Sequence, residues 1–353
     1  MATQNTSVVK YFENSMIRLS VIVPCRNEIR YIGKCVESIL AQDFPKTDME
    51  VLFVDGMSTD GTRDIIVRNC AKYSWMSLID NPMYYVSYAM NLGVEQAKGE
   101  IIMLLGVHSS YSPNYMSTLT SKLIELNADV VGCVCRTDVL NKNPESLAIK
   151  AVLSSRFGVG NSDFRTGVAK EQLVDTVPFG CYRRSVFEKY GLFDVHLVRN
   201  QDIEFSKRIV NNGGSIYLIP QALCTYYARE SFRSMARNNY SNGLWNVLTV
   251  KITGRLMSLS IRHFVPMIFL LSLIFPLVLM MVDVRFGLIA AISACAYLLL
   301  ALFVSLRKVK NIKSLKVIYL LKAFTVLHLS YGFGSLIGMF TFHKKSNNYG
   351  KTA

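Results

Sequence analysis

One acidic side chain lies where a short apolar run ends in a turn rich in glycine and hydroxyl-bearing residues. Asp55 follows the run 51–54 and begins the turn 55–62, which reads DGMSTDGT. A carboxylate in such a turn can accept hydrogen bonds from a nucleobase or a ribose, and it can equally cap the helix that follows. The turn alone leaves both interpretations open.

A histidine lies at the end of another apolar run. His108 follows the run 101–105, and an imidazole at a strand end favours a role in a site over a purely structural one. No GxGxxG motif follows the first apolar run, and the sequence contains no GxxxxGK[ST] motif. Dinucleotide redox chemistry and P-loop ATP hydrolysis therefore lack the phosphate-binding loop that each requires.

These positions fall within a repeating pattern of strand-like and helix-like stretches. Near-continuous apolar runs predict strands, and apolar residues at helical spacing predict the helices between them. Such repeats indicate a parallel, doubly wound α/β sheet. Ligands bind beyond the carboxyl ends of the strands in these sheets, so we expect the segments 24–28, 55–62 and 106–110 to converge on one cleft. The predicted strands are 20–24, 51–54 and 101–105, and the predicted helices are 31–40, 64–73 and 85–98.

The carboxyl-terminal part of the chain has the composition of membrane helices. The stretches 264–282 and 286–306 are uncharged and about long enough to cross a bilayer. The stretch 317–342 contains Lys322 and His328, so we expect a third span there, with a re-entrant or tilted helix as the alternative. Gly334 and Gly338 are spaced for helix contact, either within the chain or between protomers of a homo-oligomer.

The charge is unevenly distributed along the chain. The net charge is +14, and residues 254–353 contain 12 Lys and Arg against one acid, Asp283. Because this surplus accompanies the apolar runs, it indicates membrane topology and not nucleic-acid binding. We expect the basic loop 307–316 in the cytoplasm and the link 283–285 outside. No signal-peptide pattern is visible, and the eight cysteines have no zinc-site spacing, so the amino-terminal domain is expected in the cytoplasm.

Residues 231–262 connect the two regions and combine apolar with basic side chains at helical spacing. Arg237 and Trp245 lie in this segment, and tryptophan favours the headgroup level of a bilayer. The pattern favours helices that lie on the membrane surface over a plain pair of inter-domain helices.

Several short motifs occur in a fixed order along the chain. Three lie in the first hundred residues, four lie between residues 154 and 205, and two lie in the apolar region. They are VIVPCRNE (21–28), VDGMSTDGT (54–62), NxGxxxAxG (91–99), SSRFGVGN (154–161), VPFG (177–180), GLFD (191–194), RNQDxEF (199–205), RHFVP (262–266) and HLSYG (328–332).

In order and spacing these motifs resemble glycosyltransferase family 2, whose nucleotide-sugar-binding fold is called GT-A. The chain resembles the succinoglycan-type exopolysaccharide glycosyltransferases with C-terminal transmembrane helices. The resemblance implies an α/β fold with a doubly wound, mostly parallel GT-A sheet, followed by interfacial helices and a small α-helical transmembrane region. The expected segments are an N-terminal extension (1–18), the glycosyltransferase domain (19–230), interfacial helices (231–262), a membrane region of about three helices (263–342) and a tail (343–353).

The resemblance implies a nucleotide-diphosphate-sugar donor, usually a UDP-sugar, bound by the first half of the domain. It assigns the nucleoside pocket to the segment 24–28 and contact with the base to Asp55. The glycine-containing loop 157–160 near Arg165 either closes over the diphosphate or is a plain surface loop. The residues assigned to donor binding are Pro24, Arg26, Glu28, Asp55, Lys98, Gly106 and Arg165.

On the acceptor side, Asp202 matches the general base of the family. A carboxylate that takes the proton of an attacking hydroxyl accelerates transfer by roughly 10²–10⁴. Expulsion of a good leaving group needs one such base, unlike glycoside hydrolysis, which needs two carboxylates. The alternative for Asp202 is a helix N-cap, because a helix-like stretch follows it. We also assign Gln201, Arg237 and Trp245 to the acceptor side or the membrane interface.

The sequence departs from the family at its metal-binding motif. An acid-x-acid or acid-x-His motif usually follows the strand 101–105, and this chain has Gly106-Val107-His108 instead. Mg²⁺ prefers oxygen ligands, and imidazole suits Mn²⁺ better. Three outcomes stay open: a metal held by His108 and donor oxygens, a metal-independent site in which Arg or Lys offsets the charge, or a weakened enzyme.

The predicted function is that of an inverting, membrane-bound glycosyltransferase of the cytoplasmic membrane with its catalytic domain in the cytoplasm. We expect it to add one hexose to a polyprenyl-diphosphate-linked saccharide in polysaccharide or glycan biosynthesis. A Gln-x-x-Arg-Trp motif, typical of processive synthases, is absent. The alternatives are a polyprenyl-phosphate sugar synthase and a degenerate, non-catalytic transferase subunit.

Overall fold

The computed structural model describes residues 17–312 and 314–341. Most of the predicted N-terminal extension, the predicted tail 343–353 and Lys313 of the basic loop lie outside the described residues. The part of the chain before residue 230 is built on one nine-stranded sheet. Its strands are β1 (Leu19–Cys25), β2 (Met49–Asp55), β3 (Met76–Asp80), β4 (Ile101–Leu104), β5 (Ser109–Tyr111), β6 (Val130–Asp138), β7 (Gln172–Leu173), β8 (Cys181–Arg183) and β9 (Ile216–Tyr227).

The strands lie in the order β3-β2-β1-β4-β8-β6-β9-β5, with β7 beside β9. The first four of these are parallel, as the sequence predicts for apolar runs separated by helices. The short strand β8 is antiparallel to both of its neighbours, β4 and β6. Strands β6 and β9 are parallel again. The predicted mostly parallel sheet is therefore confirmed, with antiparallel strands at β5, β7 and β8.

Helices cover both faces of the sheet and give two hydrophobic cores. Alternate residues of β1 point to opposite faces, so Val21 packs in one core and Ile22 in the other. The doubly wound arrangement is thus confirmed. The helices of this part are α1 (Ile32–Leu40), α2 (Thr62–Lys72), α3 (Val86–Gln96), α4 (Tyr115–Glu125), α5 (Pro144–Leu153), α6 (Arg156–Val159), α7 (Asp163–Thr166), α8 (Arg184–Tyr190) and α9 (Gln201–Asn211).

Four longer helices follow, namely α10 (Phe232–Thr253), α11 (Val265–Leu279), α12 (Phe286–Asn311) and α13 (Val317–Phe340). The segment 231–262 was expected to contain interfacial helices. It contains one α-helix, a 3₁₀ turn at Leu256–Ser258 and the start of a second at Ile261–Phe264. Gly254 takes a left-handed conformation (φ 67°) and ends α10. The segments Ile261–Leu279, Phe286–Asn311 and Val317–Phe340 are long and apolar enough to cross a membrane.

Helix α10 packs closely and in parallel along α13. A Cβ atom at Gly334 would lie 2.0 Å from the carbonyl oxygen of Tyr240, and one at Gly243 would lie 2.0 Å from that of Tyr331. The two backbones therefore touch where glycine leaves room for them. Gly334 and Gly338 were predicted to make helix contacts, and within this chain both pack against α10.

The α10–α13 pair also packs against the sheet domain. Leu320 and Phe324 of α13 share a buried cluster with Ile149 of α5. The backbone N–H of Phe232, at the start of α10, donates to the carboxylate of Glu145. By contrast, α11 and α12 are largely exposed, because 11% of the most apolar 18-residue stretch of each segment is buried inside the protein. For α13 the corresponding share is 39%.

Candidate active site

The loops that follow β1 and β2 are joined at the carboxyl edge of the sheet. The backbone N–H of Asn27 donates to Ser58 Oγ (2.9 Å), and that of Glu28 donates to Thr62 Oγ1 (2.7 Å). The Glu28 carboxylate lies 2.9 Å from His108 Nε2, which follows β4. The expected convergence of these three loops is confirmed.

Asp55 is fully buried and bonded within its own turn. Its carboxylate accepts hydrogen bonds from the backbone N–H of Ser58 (3.1 Å) and from Ser58 Oγ (2.5 Å). Arg63 Nη1 lies 3.0 Å from it and also contacts Asp80. The structure therefore assigns Asp55 a role in holding the turn, and its contact with a nucleobase stays a prediction.

Arg26 offers a free donor beside this turn. Its guanidinium carbon lies 4.6 Å from the centre of the Tyr84 ring, and its side chain packs over Gly56. Arg26 Nε is buried without a hydrogen-bond partner in the described part of the chain. Such a buried donor is rare in a folded protein and favours a ligand that accepts from it. Pro24 lies on β1, two residues before Arg26, in register with Val54.

The position of the missing acid is occupied by an aromatic ring. A Cβ atom at Gly106 would lie 2.3 Å from the ring of Phe179, which itself has a strained, positive φ of 48°. An acidic side chain at residue 106 would collide with this ring. Among the described residues no group of three His, Cys, Asp or Glu side chains could hold a metal ion. His108 and Glu28 offer two ligand side chains, so the described residues alone do not complete a metal site.

A cavity of about 970 Å³ lies between the sheet domain and the C-terminal helices. Three residues predicted from the sequence line it, namely Arg165, Gln201 and Asp202. Its other walls come from the loop 157–160 and from Phe269 of α11, Tyr297 of α12 and Leu327 of α13. One residue assigned to the donor side, Arg165, and two assigned to the acceptor side, Gln201 and Asp202, therefore line one space that the apolar helices help to enclose.

Asp202 lies in the first turn of α9 and is half-buried in the cavity wall. Asn200 is the N-cap of α9 and has a left-handed conformation (φ 62°), so Asp202 is not the N-cap. Asp202 Oδ1 accepts from the backbone N–H of Ile203 (2.9 Å). Burial raises the pKa of Asp202 above its usual value, although the N–H groups of the helix start oppose this. A raised pKa makes the carboxylate a better proton acceptor.

The cavity is strongly cationic. Within the described residues, Asp202 supplies the one carboxylate of its wall, and five arginines also line it. Arg262 forms an ion pair with Asp175 (3.0 Å), whereas the other four form none in the described part of the chain. This imbalance favours an anionic ligand. The four arginines are Arg156, Arg165, Arg199 and Arg229.

Tyr226 connects the cavity with the strand-end loops. Its ring lies 6.5 Å from that of His108 and 5.3 Å from the guanidinium carbon of Arg165. Tyr226 and Arg165 both line the cavity. Tyr226 therefore lies between His108 and the cavity wall that contains Asp202, and a common site for His108 and Asp202 stays a prediction.

Three predicted site residues lie elsewhere. The backbone N–H of Lys98 bonds to Ser20 and Glu50 at the amino ends of β1 and β2. This is the opposite edge of the sheet, about 20 Å from the cleft at roughly 3.3 Å per strand residue, so the assignment of Lys98 to the donor site is wrong. Arg237 and Trp245 lie on α10 outside the cavity wall. Helical spacing placed them on α10 correctly but could not tell which face lines the cavity.

Sequence reasoning missed the residues that hold the start of α9. Asn200 Nδ2 donates to Asn246 Oδ1 (2.8 Å), and Asn246 Nδ2 donates to the Tyr331 hydroxyl (2.5 Å). Asn246 is fully buried. A buried asparagine on α10 thus ties the Asp202 turn to α13. Asn200 and Tyr331 each lie in one of the motifs described above, but no pattern in the sequence indicates that they contact the same residue.

Comparison with known proteins identifies the domain. Residues 20–191 match the family model described as Glycosyl transferase family 2. A similar fold occurs in a mannosyltransferase from Pyrobaculum calidifontis, solved in complex with GDP-Man and Mn²⁺. That structure has a TM-score of 0.53 and 17% identity, and the match covers 89% of this chain and 88% of that one. The predicted GT-A type of fold is confirmed.

Two curated relatives have names that state an activity or a pathway. One is the dolichyl N-acetyl-alpha-D-glucosaminyl phosphate 3-beta-D-2,3-diacetamido-2,3-dideoxy-beta-D-glucuronosyltransferase of Methanococcus voltae, which is 28% identical over 66% of this chain and 74% of its own length. The other is the succinoglycan biosynthesis protein ExoA of Rhizobium meliloti, which is 26% identical over 59% of this chain and 63% of its own length.

Proposed function

Residues 20–191 of this chain form a glycosyltransferase family 2 domain, and we propose that the protein transfers a hexose from a nucleotide-diphosphate sugar to a lipid-linked saccharide. The observation that carries this proposal is the cavity between the sheet domain and the apolar helices, whose wall contains Asp202. The relative from Methanococcus voltae, whose name states a dolichyl-phosphate-linked acceptor, supports a lipid-linked substrate. More specifically, the donor is a UDP-sugar and the acceptor saccharide is linked to a polyprenyl diphosphate.

The chemistry follows from one base and a good leaving group. The Asp202 carboxylate takes the proton of the acceptor hydroxyl as its oxygen bonds to the anomeric carbon of the donor. The bond from that carbon to the β-phosphate oxygen breaks, and the nucleoside diphosphate leaves with the electron pair. Attack opposite the leaving group inverts the anomeric centre.

The donor is proposed to lie along the surface from the strand-end loops to the cavity. Pro24, Arg26 and Glu28 border its nucleoside end, where Arg26 Nε lacks a partner within the described part of the chain. Arg165 approaches the diphosphate from the cavity side and offsets its charge, since Arg165 forms no ion pair among the described residues. No step is assigned to a metal, because Phe179 fills the place of the usual acid at residue 106.

We place the catalytic domain at the cytoplasmic face of the cytoplasmic membrane. The basic residues of the loop 307–316 support this orientation. The cavity, which borders the first turns of α11, would then open at the level of the lipid headgroups.

The replacement Asp202→Asn tests the proposal. We expect transfer to fall by roughly 10²–10⁴ because the base is lost, while donor affinity changes little. The melting temperature should be equal or higher, since Asn removes the charge whose burial raises the pKa of Asp202 in the folded state. Nucleotide release and lipid product are measured with Mn²⁺ and with EDTA.

Each other outcome has a defined meaning. Full activity of Asp202→Asn refutes the base assignment. Failure of the wild-type chain to turn over any donor, with or without metal, favours the non-catalytic subunit. A strict need for Mn²⁺ assigns the metal to His108 and donor oxygens, and a product in which sugar is joined directly to lipid phosphate identifies a polyprenyl-phosphate sugar synthase.

A further inference from the structure

Arg199 is a cation without a counter-charge in the cavity wall. Its Nη1 donates to Asn238 Oδ1 (3.1 Å) and to Asn242 Oδ1 (2.7 Å), both neutral amides. No carboxylate pairs with it in the described part of the chain. Burial, and secondarily the nearby Arg229, lower the pKa of Arg199, so its positive charge is less favourable in the cavity wall than in water. A bound anion would relieve that cost.

The position of Arg199 differs from that of Arg165. Arg165 lies over Tyr226, on the side of the cavity that leads to His108 and the nucleoside end. Arg199 is held by two side chains of α10, which packs along α13. Arg165 and Arg199 therefore contact different elements of the cavity wall, β9 and α10.

The same cavity wall also contains apolar side chains from the C-terminal helices. Phe269 and Leu327 line it from α11 and α13, and Val265 lines it at the point where α11 begins. A wall that combines unpaired arginine with apolar side chains matches a ligand that has a charged head and a hydrocarbon chain. Gln201 Oε1, buried without a partner in the described residues, supplies an acceptor for a ligand hydroxyl in the same wall.

We infer that Arg199, held by Asn238 and Asn242, binds the phosphate of a lipid phosphate, whose hydrocarbon chain lies against Phe269 and Leu327. The inference rests on the proposed function for the sugar that this lipid carries. It gives the acceptor a phosphate site separate from that of the donor diphosphate. The amides hold the guanidinium in place, so that it is already oriented for phosphate.

The test measures the binding of geranylgeranyl phosphate to the detergent-solubilised full chain by thermal shift, with no sugar donor present. We expect stabilisation by geranylgeranyl phosphate and little by geranylgeraniol or inorganic phosphate at the same concentration. Arg199→Gln should weaken the affinity about tenfold or more, because a charge-assisted hydrogen bond is lost. Arg233→Gln is the matched control, since Arg233 is exposed on α10 outside the cavity wall.

Several results would overturn the inference. Equal binding of geranylgeranyl phosphate by the wild type and by Arg199→Gln would show that Arg199 does not bind the lipid phosphate. Displacement of the lipid by UDP would show that Arg199 binds the donor diphosphate instead. If Arg199→Gln does not fold, Arg199→Lys keeps the charge and should bind with intermediate affinity. Because no sugar is transferred in this assay, lipid binding without any transferase activity refutes the proposed function and leaves the phosphate site standing.

Discussion

Asp202 combines two properties that a general base needs. It lies in the wall of a cavity large enough for a substrate, and its surroundings raise its pKa above that of an ordinary aspartate. Asn200, two residues before Asp202, has a left-handed conformation, which asparagine adopts more readily than most other residues with a Cβ atom.

At the same scale we predict the pH dependence of transfer. Asp202 accepts a proton only when it is deprotonated, so kcat/KM should fall by about tenfold per unit as the pH drops below its pKa. Because burial raises that pKa above 3.8, the fall should begin at a higher pH than for an exposed aspartate. Steady-state rates between neutral and acidic pH measure it.

Donor binding and melting temperature, followed over the same pH range, serve as controls for this profile. An activity that stays constant down to the pH where the chain unfolds would contradict the raised pKa. A fall that tracks the loss of donor binding would assign the titration to a different group.

At the scale of elements, the packing of α10 along α13 positions the amides that contact Arg199 and Asn200. Asn238 and Asn242 of α10 reach Arg199, and Asn246 reaches both Asn200 and Tyr331. A helix pair that separates would move these amides away from the α9 start. We therefore expect Gly243 and Gly334, at the contact between the two helices, to influence the site from a distance.

We predict that Gly334→Ala destabilises the protein by roughly 1–3 kcal/mol, because the added methyl group meets the Tyr240 carbonyl oxygen at 2.0 Å. Activity should fall as well, since α10 carries the cavity amides. Gly33→Ala is the control: a Cβ atom there has nothing within 4 Å, and alanine should stabilise the helix by roughly 0.5–1 kcal/mol. Unfolding of detergent-solubilised variants measures both. An unchanged melting temperature for Gly334→Ala would show that the helices are not packed this closely.

At the scale of the whole molecule, the contacts of α13 bear on its membrane topology. The start of α10 contacts Glu145, and the turn after its end contacts the sheet domain through Asn211, whose Nδ2 lies 3.5 Å from the Met257 carbonyl oxygen. Lys251, near the end of α10, donates to the carbonyl oxygen of Thr341 (3.0 Å). Both ends of the α10–α13 pair therefore stay beside the sheet domain, whereas a helix that crossed a bilayer core of about 30 Å would take one end away from it.

We accordingly predict that the carboxyl end of α13 lies on the same side of the membrane as the catalytic domain, and that the α11–α12 hairpin enters the bilayer. Met281 at the hairpin tip is 90% exposed. Labelling of Val284→Cys and Thr341→Cys with a membrane-impermeant maleimide tests this in intact and permeabilised cells. We expect Val284→Cys to react in intact cells and Thr341→Cys to react after permeabilisation. Reaction of both variants in intact cells would contradict this prediction and support three membrane spans. The chain without these substitutions gives the background labelling.

The sequence by itself determined the elements and the family. Apolar runs and helical spacing located the strands β1, β2 and β4 and the three long apolar helices, because local periodicity reports which face of an element is buried. The motif order pointed to glycosyltransferase family 2, in which it matched Asp202 to the general base. The absence of the usual acid at Gly106 was also visible in the sequence, but the Phe179 ring that occupies its place was not.

Only the tertiary structure decided which residues meet. Phe179 fills the place of the missing acid, Lys98 lies at the far edge of the sheet, and Arg199 lacks a counter-charge in the described part of the chain. Each of these facts depends on contacts between residues far apart in the chain. Local propensity and spacing carry no information about such contacts, since packing between elements alone fixes them.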